Sequence, residues 1–280
     1  MSRPAHAPAL LLALLLALLA APALAQEATN TPAATQPSEG KWYLREKLQY
    51  VRLGDDPSPH GREIDELIAT TALTYGISRE LSATITLPVI ASWEEGHMGD
   101  EDRFGTQDLS LSMKWRPLQW DLSPVDSVRV AFFGGAELPT GTGDFSSHSV
   151  DPYFGGVFTA ILGRHGLNQS LQYKFNTGGD EFNTRPGDGP DDALRFDSAY
   201  LFRLAPETYS SDTTAATYLT FELNGLYETG GDTEILIGPG ILYEARTFAL
   251  EASFGLPVIQ EVDERPETEF IFTVGFRFLF

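Results

Sequence analysis

The chain contains no cysteine. That excludes a lipid-modified N-terminal cysteine, a disulfide framework and a thiolate metal site. Bases are scarce too: 19 Lys and Arg against 39 Asp and Glu give a formal net charge of −20. So acidic a surface disfavours nucleic acid and anionic polymers as partners. Only five histidines are present, His6, His60, His97, His148 and His165. Beyond residue 25, no stretch approaches the roughly 20 consecutive apolar residues that a membrane-spanning helix requires.

At the N-terminus, Arg3 precedes an apolar run from Ala9 to Ala20, and Ala23-Leu24-Ala25 lies just before Gln26. This is the pattern of a secretory signal over residues 1–25 with a small-x-small cleavage site, and the run is too short to cross a bilayer as a helical anchor. Its removal leaves 18 bases against 39 acids, a charge of about −21. Residues 26–40 (QEATNTPAATQPSEG) are poor in apolar side chains and rich in Thr, Ala, Pro and Gln. They are expected to form a disordered periplasmic leader that serves as a spacer, although such a segment could reach into a pore from below.

From residue 41 to 280 the recurring feature is apolar/polar alternation over roughly ten residues at a time, interrupted by turn chemistry. Twelve such segments fall near 41–53, 62–77, 80–93, 104–116, 126–138, 149–162, 166–178, 193–204, 215–227, 233–245, 247–259 and 267–280. The links between them sort into two alternating sets. Those at 78–79, 163–166 and 246–247 are tight turns, whereas 54–59, 94–103, 139–149, 178–192 and 260–266 are longer, acidic and rich in Gly or Pro. Two links on the short side, 117–126 and 205–214, are longer than that rule predicts, so ten or fourteen strands stay open beside twelve.

The last segment shows the alternation most plainly. Phe270, Phe272, Val274, Phe276, Phe278 and Phe280 share one phase, and Thr273, Gly275 and Arg277 share the other. Alternation running to a final aromatic resembles the closing strand of a bacterial outer-membrane β-barrel, in which outward side chains meet lipid and inward ones meet a polar lumen. That resemblance implies outer-membrane lipid and lipopolysaccharide around the protein, and the barrel-assembly machinery as the reader of the strand ending at Phe280. Trp42, Tyr75, Trp93, Trp115, Tyr227 and Tyr243 lie near strand ends on the outward phase, where interfacial girdles belong. The expected fold is therefore all-β: a transmembrane, antiparallel, up-and-down β-barrel of about twelve strands in the bacterial outer membrane, spanning residues 41–280.

Because a base at the bilayer midplane costs about 2 to 4 kcal/mol, charges within strands should point inward. Inward positions then hold Arg45, Lys47, Lys114, Arg129, Lys174, Arg195 and Arg203, followed by Glu222, Glu234, Glu244 and Glu251. Lys114, Arg129, Lys174, Arg195, Glu222 and Glu251 are the candidate lumen wall along which a small-molecule solute would pass. Interior packing by mutual pairing of these charges is the competing reading. Glu46 departs from the pattern, since it shares the phase of Leu44, Leu48 and Tyr50; a nearby interface or a bulge would account for it.

No catalytic constellation emerges. His148 lies in Ser146-Ser147-His148-Ser149, near Asp144 and Asp151, but these are also ordinary turn formers. The acidic loops, with Asp100-Glu101-Asp102 and with Asp188, Asp191 and Asp192, lack the spacing of a calcium loop. No cofactor or metal site is expected, and the chain reads as a non-enzyme.

Glu137-Leu138-Pro139-Thr140-Gly141, with Asp144 and then Ser149-Val150-Asp151-Pro152-Tyr153-Phe154-Gly155-Gly156, resembles the outer-membrane barrel family labelled as a putative meta-pathway of phenol degradation. Gly238-Pro239-Gly240, Tyr243 and Leu256-Pro257 resemble later landmarks of the same family, and the likeness extends over about residues 60–280. These motifs start and stop strands; they imply no catalytic role. The family resemblance implies a transporter-like protein, a passive channel for small molecules, aromatic or polar. A closed barrel whose extracellular loops serve adhesion or sensing is the alternative.

Overall fold

The computed structural model describes residues 26–58, 61–96, 99–178, 185–263 and 265–280. The expected signal segment, residues 1–25, lies outside the described residues. The strands are β1 (Trp42–Gly54), β2 (Glu63–Gly76), β3 (Leu81–Glu95), β4 (Glu101–Thr106), β5 (Leu109–Asp121), β6 (Ser127–Leu138), β7 (Asp151–Leu162), β8 (His165–Lys174), β9 (Ala193–Ala205), β10 (Ala215–Glu228), β11 (Thr233–Ala245), β12 (Phe248–Glu261) and β13 (Glu267–Leu279). Neighbouring strands pair antiparallel, and β1 pairs with both β2 and β13, which closes the sheet into a barrel of twelve staves. Closure leaves the ring of twelve staves without a free edge, the condition for a sheet that spans lipid, and β4 beyond the ring pairs with β3 alone among the described strands.

Thirteen strands make twelve staves because β4 and β5 both pair with β3, one above the other. The expected fourth strand at 104–116 is thus divided at Gln107-Asp108. Asp108 explains the break: its carboxylate accepts from the backbone N–H groups of Gly141 and Ser147, each at 2.8 Å, and ties the 139–150 loop to the barrel wall. The long link expected at 117–126 shrinks for a related reason. After a register shift between Trp115 and Leu118, β5 continues to Asp121, and the remaining turn is held by the Ser123 hydroxyl accepting from Val125 and Asp126 N–H.

The two phases separate as the alternation requires. On β5, Leu111, Met113 and Trp115 are exposed on the outside, while Ser112 and Lys114 turn inward. Trp42 and Tyr75 are ladder partners at the periplasmic rim, with ring centroids 4.6 Å apart. Glu46 keeps its outward phase: the β1 ladders run through it without a shift, and the Thr71 hydroxyl on β2 donates to its carboxylate at 2.8 Å. It lies four residues from Trp42, about 13 Å along the strand.

The expectation of a disordered spacer at 26–40 is not met. Residues 26–37 lie inside the barrel, most of them buried, and Gly40 closes onto the Gly76 carbonyl at 2.8 Å at the rim. Composition alone misleads here, because a segment too polar to build its own core finds hydrogen-bond partners in a polar lumen instead of in water.

Candidate functional site: the barrel interior

Most of the six candidate lumen residues contact another part of the chain inside the barrel, and two of them, Glu222 and Lys114, bond the leader directly. The Glu222 carboxylate on β10 accepts from three consecutive backbone N–H groups, those of Thr29 at 3.1 Å, Asn30 at 2.9 Å and Thr31 at 2.7 Å, and from the Thr31 hydroxyl at 2.9 Å. Successive N–H groups around one anion make a nest, and bonds to an ionised acceptor are about twice as strong as neutral ones. On the opposite wall, Lys114 Nζ on β5 donates to the carbonyls of Ala33 at 2.9 Å and Thr35 at 3.3 Å.

Glu251 on β12 acts through its neighbours. It accepts from Arg45 on β1 at 2.9 Å and from Arg277 on β13, and both guanidinium groups also donate to leader carbonyls. Arg45 Nη2 reaches the carbonyl of Thr29 at 2.7 Å, and Arg277 Nη2 reaches that of Glu27 at 2.9 Å. The Glu27 side chain enters the same cluster, 3.7 Å from Arg45 Nη1 and 3.8 Å from Arg277 Nη1. Further ties come from residues that sequence reasoning passed over as ordinary polar positions. Asn168 Nδ2 donates to the Gln26 carbonyl at 2.9 Å, Ala34 N–H donates to Thr159 Oγ1 at 2.9 Å, and Asn30 Nδ2 donates to Ser253 Oγ at 3.2 Å. Their only signal was the inward phase, which does not say what a polar side chain will meet.

Lys174 and Arg195 belong to the outer end. Lys174 Nζ bridges Glu137 Oε2 at 3.0 Å and Asp188 Oδ1 at 2.5 Å, and Arg195 Nη2 donates to the Pro186 carbonyl at 2.7 Å. Together with Gly187 N–H on Glu228 at 2.9 Å, these bonds fold residues 185–188 of the loop before β9 against the inner wall. Arg129 on β6 is buried near the short-turn end of the interior, and among the described residues its Nε has no hydrogen-bond partner.

The leader does not fill the lumen. A cavity of about 450 Å³ runs beside it, from Thr247 and Leu279 at the short-turn rim to Glu137 near the opposite end. Ser82, Thr84, Thr86, Ser110 and Ser112 line one wall with hydroxyls, and Phe133 and Tyr153 add aromatic faces. Arg45, Lys114, Arg277 and Glu27 border the same space.

The loop around His148 forms a turn, not a nucleophile and base. His148 itself adopts φ of +56°, Ser146 Oγ accepts from His148 N–H at 3.1 Å, and Ser149 Oγ donates to Asp151 at 2.7 Å. Asp188 is engaged with Lys174, and the Asp192 carboxylate accepts from Tyr173 Oη at 2.7 Å and Asn176 N–H at 3.0 Å. Among the described residues, no group of three or more His, Cys, Asp or Glu side chains is placed to hold a metal ion.

Residues 62–273 match the family described as "Putative MetA-pathway of phenol degradation". The chain belongs to that family. It is a porin-like barrel of the bacterial outer membrane. Among solved structures it is similar to a COG4313 outer membrane channel from Pseudomonas putida F1, with a TM-score of 0.58 at 11% identity, covering 88% of this chain and 97% of that one. A weaker likeness is to the translocator domain of the autotransporter NalP from Neisseria meningitidis, with a TM-score of 0.45 at 12% identity, covering 88% of this chain and 90% of that one. No curated protein matches the chain in sequence. At this identity the likeness to the COG4313 channel shows the fold alone.

Proposed function

We propose that this protein is a passive outer-membrane channel for small molecules, gated by its own N-terminal segment. The observation that carries this reading is the pairing of a hydroxyl-lined cavity, extending along most of the barrel height, with a leader held in the lumen by side chains and not by strand pairing. A segment built into the sheet would have to be unzipped, whereas one held by discrete hydrogen bonds to Glu222, Lys114, Arg45 and Arg277 can leave as a unit. Lys114, Arg129, Glu222 and Glu251 would line the path once it has left, with Lys174 and Arg195 at the outer vestibule. Lipid and lipopolysaccharide would surround the outward face, and the barrel-assembly machinery would read the closing strand β13.

Planar-bilayer recording of the full mature chain tests this. Glu222→Ala removes the acceptor of three leader N–H groups, so its open probability should rise well above that of wild type. A folded Glu222→Ala protein as silent as wild type would favour the second reading, a closed barrel whose extracellular loops bind. The leader lodged inside the barrel is the observation behind that alternative.

A further inference from the structure

The three acids that meet inside the lumen are held very differently. Glu222 and Glu251 make hydrogen bonds of 2.7 to 3.1 Å to N–H groups of the leader and to Arg45. Glu27 makes none so short. Its carboxylate lies 3.7 Å from Arg45 Nη1, 3.8 Å from Arg277 Nη1, 3.4 Å from the Tyr43 hydroxyl and 3.4 Å from Ala33 N–H. Charge-assisted N–H to oxygen bonds normally close to about 2.7 to 2.9 Å, so Glu27 is drawn to this cationic cluster without fitting it.

The cluster is also incompletely satisfied. Arg277 is 2% exposed, yet among the described residues its Nε and Nη1 have no hydrogen-bond partner. A buried guanidinium with free donors is costly, and its planar fork matches a carboxylate in a two-bond geometry. Lys47 is on the same face of β1, one inward step from Arg45. With Glu27 withdrawn, Arg45, Lys114 and Arg277 would still border the cavity of about 450 Å³, with Glu251 held between the two arginines.

We infer that Arg45, Arg277 and Lys114 form a binding site for a small carboxylate anion, and that Glu27 occupies it as an internal stand-in. The acid head of the solute would take the place of Glu27, and its body would extend into the cavity that Phe133 and Tyr153 line. A carboxylate ligand would thereby compete with the leader and favour its departure. The inference rests on the channel reading for its biological use, but not for its test.

The test is calorimetric titration of benzoate, with benzamide as the neutral isostere, into the folded, detergent-solubilised full chain. In wild type the site is taken by Glu27, which lowers apparent affinity by the fraction of time it is vacant. Glu27→Gln should therefore bind benzoate about tenfold tighter, and neither protein should bind benzamide. Adding Lys114→Gln to Glu27→Gln should weaken benzoate binding again; among the described residues Lys114 pairs with no acid at hydrogen-bond distance, so this variant keeps the Arg277–Glu251 pair. No benzoate binding by folded Glu27→Gln, or equal uptake of benzamide, overturns the site. A protein that binds benzoate but never conducts would sink the channel and leave the site standing; a conducting protein indifferent to benzoate would do the reverse.

Discussion

Arg45 on β1 and Glu251 on β12 are hydrogen-bonded at 2.9 Å although a whole strand, β13, lies between them. Gly275 makes this contact possible. In the ladder it sits between Lys47 on β1 and Glu251 on β12, and a Cβ there would come within 2.4 Å of Glu251 Oε1. Glu251 lies across the bare backbone to reach Arg45 while also meeting Arg277. The seam at which the barrel closes is thus joined inside by one carboxylate shared between two guanidinium groups.

Gly275→Ala should weaken that seam. Measured as the temperature at which the folded band is lost in a heat-modifiability gel, its effect should not add to that of Glu251→Gln, because both changes disturb one contact. Full additivity would mean that Gly275 serves some other purpose.

Glu251→Gln should itself be strongly destabilising. It leaves Arg277, and in part Arg45, buried without a compensating charge, a change that typically costs about 3 to 5 kcal/mol. Urea denaturation in detergent would show this as a lowered midpoint; a midpoint equal to wild type would mean that lumen water already solvates both arginines.

The leader's protection can be read by proteolysis. Glu27 is largely buried, so a glutamate-specific protease should cut after it slowly in wild type and much faster in Glu222→Ala. Equal rates would show that Glu222 does not retain the segment.

A pH effect is expected in the loop after β1. Burial alone would raise the Asp56 carboxyl, but the Arg62 guanidinium at 2.7 Å, with the backbone N–H groups of Arg62 and Ser58 each at 3.0 Å, outweighs it and holds the pKa down to about 2. Since the folded value lies below the ordinary 3.8, this group's contribution to loop order is fully present above about pH 4 and is lost as pH falls through about 2. Proteolytic susceptibility of the 55–62 loop, assayed with an acid-active protease between pH 4 and 2, should rise in wild type. Asp56→Asn should be susceptible throughout, with no such step.

Much of the barrel was legible in the sequence because alternation is dictated by two solvents, lipid outside and a polar lumen inside. Leu111, Met113 and Trp115 against Ser112 and Lys114 fix the phase of β5 without reference to any other strand. The interior contacts were not legible in the same way. The inward phase of Lys114 and Glu222 follows from the cost of charge in lipid, but nothing in periodicity says that their partners are backbone groups of residues 29–35. Nor does composition reveal the break at Gln107-Asp108, since it depends on N–H groups more than thirty residues away. The leader misleads most, because Thr, Pro and Gln signal disorder only when water is the alternative partner.

The most direct test of a reversible plug uses the chain's lack of cysteine. Asn30 on the leader and Ser253 on β12 are hydrogen-bonded side chain to side chain at 3.2 Å, so Asn30→Cys combined with Ser253→Cys places two thiols within reach of a short cross-linker that carries its own reducible disulfide. Planar-bilayer recording of this protein, before and after reduction, would then follow the same molecule locked and released. The account predicts no openings when cross-linked and intermittent openings once reduced. Equal conductance in both states would contradict it.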